Sequence, residues 1–153
     1  MDTSIGGWEK SELREKMNSG EIWNLMPSDF RSKVKPVRKL TNNVGGGDEN
    51  KNAAVAATSD KLFLLSYSEI VPTFKWASSY PWTSSEGTQY EAFKGRVTEN
   101  LSGNSAIANG YNWCQRSVSP LDSMRFLGVV SSGVVSGACG ATGSVCACFA
   151  WCF

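Results

Sequence analysis

The closing part of this chain, residues 126–153, contains no charged side chain. Such a segment is long enough to span a bilayer as a helix. Gly, Ser and Thr are spread evenly through it, however, Leu occurs once and Ile is absent. No basic residue follows to anchor an end of the segment at the lipid headgroups. We therefore expect a folded segment, and a membrane-tethered structural protein anchored by 126–153 is the second alternative.

Composition excludes several kinds of chemistry. The chain has no histidine, which is the commonest general base and metal ligand, so a Ser-His-Asp or Cys-His set is impossible. The Gly-rich stretches at 45–47 and 137–143 match neither a phosphate-binding loop nor a dinucleotide motif. A net charge of +1 gives no reason to expect nucleic acid. We predict a protein that is not an enzyme and needs no cofactor.

The five cysteines suggest a metal site but fit one poorly. Cys146, Cys148 and Cys152 follow a C-x-C-x3-C pattern, with Cys139 and Cys114 before them. Zinc sites use C-x2–4-C pairs, often with histidine. We predict no metal and cysteines that serve the structure. Because their number is odd, they cannot all pair within the chain.

Short helices are predicted in the first forty residues. Leu13 and Met17 are spaced i,i+4, as on one face of a helix. Pro27 interrupts this pattern, and Ser28 is predicted to be the N-cap of a short helix that reaches Val34. The N-terminus lacks the apolar core that a signal peptide needs.

The middle of the chain is predicted to contain strands and loops. Residues 34–41 are extended in character because Pro36 disfavours helix. Residues 41–60 read as a flexible loop or insertion, since Gly, Asn and Asp dominate and no periodicity survives. The apolar run 62–65 predicts a buried strand. The aromatic residues that follow are predicted to belong mostly to the core: Trp76, Tyr80, Trp82, Tyr90 and Phe93.

A series of short motifs, in order, resembles a known domain family. The motifs are "GGWEKSELREKM", "VKPVRKLT", "SDKLFLLSYSEI", "EGTQYEAF" and "NWCQRSVSP…F..V.SSG". Together they resemble a bacterial and phage family with a C-type lectin-like fold, related to the formylglycine-generating enzymes. The family includes the variable proteins of diversity-generating retroelements. The resemblance implies one α+β domain over residues 1–153, lacking the usual N-terminal strand of the fold.

The resemblance also implies how the composition of residues 113–153 arises. In these systems a reverse transcriptase copies a template repeat, miscopies adenines, and the altered copy replaces the 3′ end of the gene. Codons for Asn are the richest targets, and all asparagines of this chain lie at or before Asn112. The positions that match the family framework are Trp113, Arg116, Ser117, Pro120, Phe126, Val129 and Gly133.

These framework residues carry specific structural expectations. Trp113, Phe126 and Val129 are expected to pack inward, and Gly133 to form a tight turn. Arg116 is expected to bind backbone carbonyls or a carboxylate through its planar guanidinium. In the closing "CFAWCF", alternating aromatic residues predict a core strand: Phe149, Trp151 and Phe153.

The remaining positions form the predicted variable surface, which would bind the ligand. They are Cys114, Gln115, Leu121, Asp122, Ser123, Met124, Arg125, Leu127, Gly128, Val130, Ser132, Val134, Val135, Ser136, Cys139 and Gly140. The predicted partner is a protein or glycan on a bacterial surface, and the domain is displayed on a phage virion or bacterial cell, with an oligomer possible. The calcium ligands of lectins are not carried over. The first alternative is a degenerate enzyme-like domain related to the formylglycine-generating enzymes, with Cys114 and Cys139 as its reactive pair.

Overall fold

Short helices precede a set of short antiparallel strands. The computed structural model describes residues 6–42, 55–72, 81–98, 102–119, 125–135, 137–141 and 146–153. The helices are α1 (Glu12–Asn18), α2 (Glu21–Leu25), α3 (Ser28–Lys33) and α4 (Tyr67–Ile70), with 3-10 helices at Trp8–Lys10 and Pro81–Glu86. The strands are β1 (Val37–Asn42), β2 (Val55–Asp60), β3 (Phe63–Leu64), β4 (Trp113–Val118), β5 (Arg125–Val129), β6 (Gly137–Gly140) and β7 (Phe149–Ala150).

This mixture of few helices and several antiparallel sheets is an α+β arrangement, as the sequence predicts. Strands β1 and β2 form one sheet, β3 and β7 a second, and β4, β5 and β6 a third. Within the described ranges, no helix has the length and apolarity to cross a membrane. The described part of 126–153 contributes strands to two of these sheets instead.

The helical prediction for the first forty residues is confirmed in outline. Met17 is fully buried and Leu13 packs against the core. The helix predicted to begin after Ser28 is present as α3, but its N-cap is Pro27 and Ser28 is its first residue. The predicted cap is wrong by one residue because proline, with its fixed φ, already sets the extended conformation that an N-cap requires.

The prediction of a loop over 41–60 is wrong at both ends. Residues 41 and 42 end β1, and residues 55–60 form β2, which pairs with β1 from Val37↔Asp60 to Asn42↔Val55. Strand β2 buries the polar side chains of Thr58 and Asp60 instead of apolar ones, so it shows no hydrophobic alternation. Residues 43–54 lie outside the described residues.

The carboxylate of Asp60 explains why polar residues face inward in β2. It accepts hydrogen bonds from Trp8 Nε1 at 2.8 Å, Thr58 Oγ1 at 2.6 Å and Arg14 Nε at 2.7 Å. A buried carboxylate is tolerated when it is paired and hydrogen-bonded. Two of the three donors, Trp8 and Arg14, therefore link the N-terminal helices to the first sheet.

The closing strand is only partly in the core. Phe149 and Ala150 form β7, which pairs with β3, and Phe149 packs against the core. Trp151 is 42% exposed and Phe153 is 64% exposed. The prediction that all three aromatic residues are core is wrong for the last two, because the chain beyond Ala150 leaves the sheet and lies against Phe30 of α3.

Two clusters of buried apolar side chains form the core. The first joins the N-terminal helices to β3 and includes Trp8, Met17, Phe63 and Leu64. The second lies on the third sheet. The predicted buried strand at 62–65 is confirmed in part: the strand is Phe63–Leu64, Leu62 is also buried, and Leu65 is half-buried. Of the predicted core aromatics, Tyr90 and Phe93 are half-buried, while Trp76, Tyr80 and the side chain of Trp82 lie outside the described residues.

Candidate functional site

A single buried arginine joins all the sheets and the second 3-10 helix. Arg116 of β4 donates from Nη1 to the Leu64 carbonyl at 2.8 Å and to the Glu69 carboxylate. Its Nη2 donates to the Glu86 carbonyl at 3.0 Å, and Nε and Nη2 both reach the Leu40 carbonyl at 3.3 Å. The expectation that Arg116 binds backbone carbonyls or a carboxylate is confirmed, and it binds both.

Glu69 is the carboxylate at the centre of this network. Its Oε1 accepts from Lys39 Nζ at 2.9 Å and from Tyr90 Oη at 3.1 Å, and its Oε2 accepts from the Ser66 amide at 2.9 Å. Burial raises the pKa of Glu69, but the hydrogen bond and charge of Arg116 and the charge of Lys39 outweigh it and hold the pKa below its ordinary value. Burial and the Glu69 carboxylate raise the pKa of Tyr90.

Glu86, the second buried carboxyl of this network, has a pKa shifted in the opposite direction from that of Glu69. Its Oε1 accepts from the Asn42 amide at 3.0 Å, and Ser117 Oγ donates to its Oε2. Burial raises the pKa of Glu86 from 4.5 to about 7, although the Arg116 charge and the two hydrogen bonds lower it. The side chain is therefore partly protonated at neutral pH.

This raised pKa predicts a pH dependence of stability. Because the folded pKa exceeds the unfolded one, Glu86 stabilises the fold fully below pH 4.5, and that stabilisation is lost as pH rises towards 7. The loss amounts to about 3 kcal/mol. Urea denaturation at pH 5 and pH 8 should show the decrease in the wild type, and Glu86→Gln, which stays neutral, should lack most of it.

The matched control for this experiment is Glu91→Gln, which removes an exposed carboxylate in an ion pair with Lys94. It should keep the wild-type decrease between pH 5 and pH 8. A Glu86→Gln protein whose stability falls as steeply as that of the wild type would contradict the assignment.

A cavity of about 250 Å³ lies beside the network, between the N-terminal helices and the third sheet. Its walls are mostly apolar, with a few polar side chains. They are Trp8, Ser11, Leu13, Leu64, Cys114, Gln115, Phe126, Gly140, Ala141 and Ala147. A neighbouring cavity of about 190 Å³ shares Ser11, Leu13, Phe126 and Ala141 with it and adds the ion-paired Glu12 and Lys16.

Gln115 is the unusual residue of this wall. Its side chain is fully buried, and neither its Oε1 nor its Nε2 has a hydrogen-bond partner among the described residues. Leaving a buried polar group unpaired costs about 1–3 kcal/mol. Native proteins contain few such groups, and each one calls for a physical explanation, such as an ordered water, an ion or a bound ligand.

A disulfide links the two outer strands of the third sheet beside Gln115. Cys114 of β4 and Cys139 of β6 are bonded, with their Cα atoms 5.6 Å apart. The outer strands of a flat three-stranded sheet would be about 9.6 Å apart, so these two curl towards each other at this point. The strands approach each other at Gly128 of β5. A Cβ at this position would lie 3.0 Å from the Trp113 carbonyl oxygen and 3.4 Å from Cys139 Cβ, so the close approach favours glycine.

The other three cysteines are free thiols, which confirms that the five do not all pair. Cys146 and Cys152 are exposed and Cys148 is half-buried, where Asn109 Nδ2 donates to its Sγ at 3.3 Å. Burial, together with the neighbouring Cys146, raises the pKa of the Cys148 thiol. Among the described residues, no three Cys, Asp or Glu side chains converge as a metal site would require.

The residues of the predicted variable surface differ in how far their side chains are exposed to solvent. Its exposed or half-buried members are Arg125, Val130, Ser132, Val134 and Gly140. Its members outside the described residues are Leu121, Asp122, Ser123, Met124 and Ser136. The prediction of exposure is wrong for the members that are buried: Cys114, Gln115, Leu127, Gly128, Val135 and Cys139.

The error has a physical cause. Alternate residues of a strand were expected to face solvent, but both faces are covered along β4 and along most of β5. Leu127 and Val135 pack into the second core cluster, and the disulfide covers the opposite face at Gly128. Strand β4 is buried at every position from Trp113 to Val118.

The exposed members do not form one patch. Arg125 pairs with Gly140 at one end of the β5–β6 hairpin, next to the cavity wall. Ser132 lies at the other end, where its carbonyl accepts from the Asn104 amide at 3.1 Å. Five strand residues span about 17 Å, so the two groups are well separated.

The structural expectations for the residues that match the family framework are confirmed at the described positions. Trp113 and Val129 are buried, and Phe126 is half-buried and packs on the first core cluster. Gly133 has φ +87°, and a Cβ there would lie 2.1 Å from the Asn104 carbonyl oxygen, so its tight turn requires glycine. Ser117 is buried, and Pro120 lies outside the described residues.

Sequence reasoning missed Lys39, Glu69 and Glu86 as network residues. A signal for Glu69 is present in the sequence, because Ser66-x-x-Glu69 matches a capping box, which the structure contains at the start of α4. Lys39 and Glu86 carry no comparable local signal.

These features define a small α+β domain whose sheets meet at a buried ion network beside a mostly apolar cavity. The chain belongs to the family described as "Domain of unknown function (DUF6273)", whose sequence model matches residues 2–148. No curated protein and no solved structure matches the chain.

Proposed function

We propose that this domain is a C-type lectin-like binding protein that performs no chemistry. Its region 113–153 is the variable region of a diversity-generating retroelement, and its ligand is a protein or glycan on a bacterial surface. The domain is displayed on a phage virion or a bacterial cell. Support for the identity comes from the ordered motifs, and support for binding comes from the cavity beside Gln115.

The unpaired amide of Gln115 is the observation that carries the binding proposal. A mostly apolar cavity with a few placed polar groups is the usual form of a ligand site. The amide offers one acceptor and two donors, and the described residues use none of them. Because the side chain is fully buried, a ligand would reach this amide only after the residues around it move, and pairing with it would then recover the cost of burying it unpaired.

The exposed residues at the same end of the hairpin extend the site. Gly140 is part of the cavity wall together with Phe126 and Ala141, and Arg125 pairs with Gly140 across the hairpin. Changes in exposed side chains there would alter which ligand binds while the disulfide and the core hold the fold. The second exposed group, around Ser132, lies too far away to touch the same small ligand and would contact only a large one.

Replacing Gln115 by methionine should raise stability and weaken binding. Methionine has nearly the same length but no polar group to leave unpaired, so the free energy of unfolding should rise by about 1–3 kcal/mol. Binding should weaken about tenfold or more if the ligand pairs with the amide. The measurements are urea denaturation and titration against ligands identified on a glycan array and on intact bacterial cells.

Gln89→Met is the matched control. The Nε2 of Gln89 donates to the Ile70 carbonyl at 2.9 Å and the Val97 carbonyl at 2.7 Å, so this substitution should destabilise the fold and leave ligand affinity unchanged. A Gln115→Met protein that is more stable but binds as tightly as the wild type would remove Gln115 from the site.

The retroelement part of the proposal has a separate test in the nucleotide sequence. A near-copy of the last hundred or so bases of the gene, differing at adenines and lying beside a reverse transcriptase gene, would establish it. Without such a copy, binding would have to be explained by a fixed surface.

The enzyme-like alternative rests on Cys114 and Cys139, which do lie together. Both are buried and joined in a disulfide, although Cys114 lines the cavity. A nucleophilic cysteine needs a reachable thiolate. The geometry therefore favours binding over thiol chemistry.

A further inference from the structure

The segment from Pro27 to Asn42 concentrates positive charge in a chain whose net charge is only +1. It holds five basic residues and one acidic residue, Asp29. The buried Lys39 is paired with Glu69. The other four basic residues form no side-chain ion pair with a described residue, and three of them are exposed: Arg31, Lys33, Lys35 and Arg38.

Exposed aromatic rings lie against the same segment. Phe30 of α3 contacts Trp151 at 5.3 Å and Phe153 at 5.9 Å between ring centroids. Trp151 and Phe153 also contact each other at 6.2 Å. With Trp151 at 42% and Phe153 at 64% exposure, and Phe30 half-buried, these three residues form a partly exposed apolar cluster, which we call the aromatic knob.

The backbone fixes the aromatic knob beside the cations. The Lys35 amide donates to the Cys152 carbonyl at 2.9 Å, which places the closing segment alongside residues 34–36. Lys33 lies three residues after Phe30 on α3, so the two side chains are neighbours on one face of that helix. Apolar and cationic groups therefore share one surface.

We propose that this surface docks on an anionic phospholipid membrane. Aromatic side chains insert favourably at the headgroup level of a bilayer, and lysine and arginine around them are attracted to anionic lipids. Lys33 and Lys35, which lie beside the aromatic knob, complement a negative surface, and Arg31 and Arg38 add positive charge to the same segment. Single-stranded nucleic acid fits less well, since it needs open ring faces for stacking, and these rings pack edge-to-face at interplanar angles of 73°, 80° and 73°.

This docking is peripheral and independent of the cavity. It would hold the domain at a membrane through about three aromatic side chains and an electrostatic term. Such a combination gives reversible binding that weakens as salt screens the charges. The ligand site beside Gln115 lies on other elements of the fold and is not used.

The test is sedimentation of the full chain with vesicles. Binding is expected to vesicles that contain phosphatidylglycerol and not to vesicles of phosphatidylcholine alone. It should weaken strongly as salt rises from about 50 to about 300 mM, because the Debye length shortens over that range. Lys33→Glu with Lys35→Glu should reduce the affinity at least about tenfold, and Trp151→Ala with Phe153→Ala should do the same.

The matched control is Lys10→Glu with Arg96→Glu, which reverses two exposed cations outside this surface. It should bind vesicles like the wild type. Equal loss in the control and in the Lys33/Lys35 variant would overturn the proposal, as would absence of vesicle binding by the wild type. Binding to a single-stranded oligonucleotide but not to vesicles would overturn it in favour of nucleic acid.

Discussion

Replacement of Arg116 by alanine is expected to lower the free energy of unfolding by about 3–5 kcal/mol. The substitution leaves the Glu69 carboxylate buried with only Lys39 as a cationic partner. It also leaves the Leu40 and Glu86 carbonyls without this donor. Because small domains have only about 5–15 kcal/mol in total, the change would be visible in urea denaturation as a large shift or as an unfolded protein.

Two further variants separate charge from geometry at this position. Arg116→Lys keeps the charge but replaces a planar group that reaches four acceptors with a single ammonium, so it should recover only a minor part of the loss. Arg96→Ala, at an exposed arginine, should change stability by no more than about 0.5 kcal/mol. An Arg116→Ala protein within about 1 kcal/mol of the wild type would show that the network does not hold the sheets together.

Loss of the Cys114–Cys139 disulfide is expected to lower stability by about 3–4 kcal/mol. The bond closes a loop with a sequence separation of 25 residues, and the chain-entropy estimate for such a loop lies in that range. Urea denaturation of the Cys114→Ala/Cys139→Ala protein, and of the wild type with and without reductant, measures the effect. Thiol titration of the unfolded chain should find three reactive groups before reduction and five afterwards.

Cys146→Ser is the control for the disulfide experiment, since it removes an exposed free thiol. Its stability should match that of the wild type, and its response to reductant should be unchanged. A wild-type protein whose denaturation midpoint does not move on reduction would contradict a stabilising role for the bond.

The sequence supported correct predictions at positions whose residue type can make only a few kinds of interaction or adopt a special backbone conformation. Arg116 was expected to bind carbonyls or a carboxylate because it matches the framework of the family that the chain resembles and because a planar guanidinium suits such acceptors. The tight turn at Gly133 was expected from the same match and from the conformational freedom of glycine. The partners of Arg116 could not be identified, because they lie 30 to 76 positions away and no local pattern links them.

The predictions from strand alternation failed where a strand buries polar side chains or is covered on both faces. Strand β2 was missed because its inward residues, Thr58 and Asp60, are polar. Asp60 accepts hydrogen bonds from Thr58 within the strand and from Trp8 and Arg14 at the N-terminus. Gln115 and Leu127 were predicted to be exposed because strands normally alternate, but both faces of the sheet are covered at these two positions of β4 and β5. The exposure of Trp151 depends on where β7 ends, and composition does not determine that.

The contacts of Arg116 also bear on how the domain reaches its folded state. Its partners at Leu40, Leu64 and Glu86 are separated from it by 76, 52 and 30 positions. Each contact closes a long chain loop before it gains any energy, and chains dominated by such distant pairings fold slowly, on the scale of milliseconds to seconds. The helices of the first third can form early, whereas the network can assemble only after β4 has been synthesised. During synthesis on the ribosome, the Leu40 and Leu64 carbonyls would therefore wait for Arg116, and the second sheet would wait for β7.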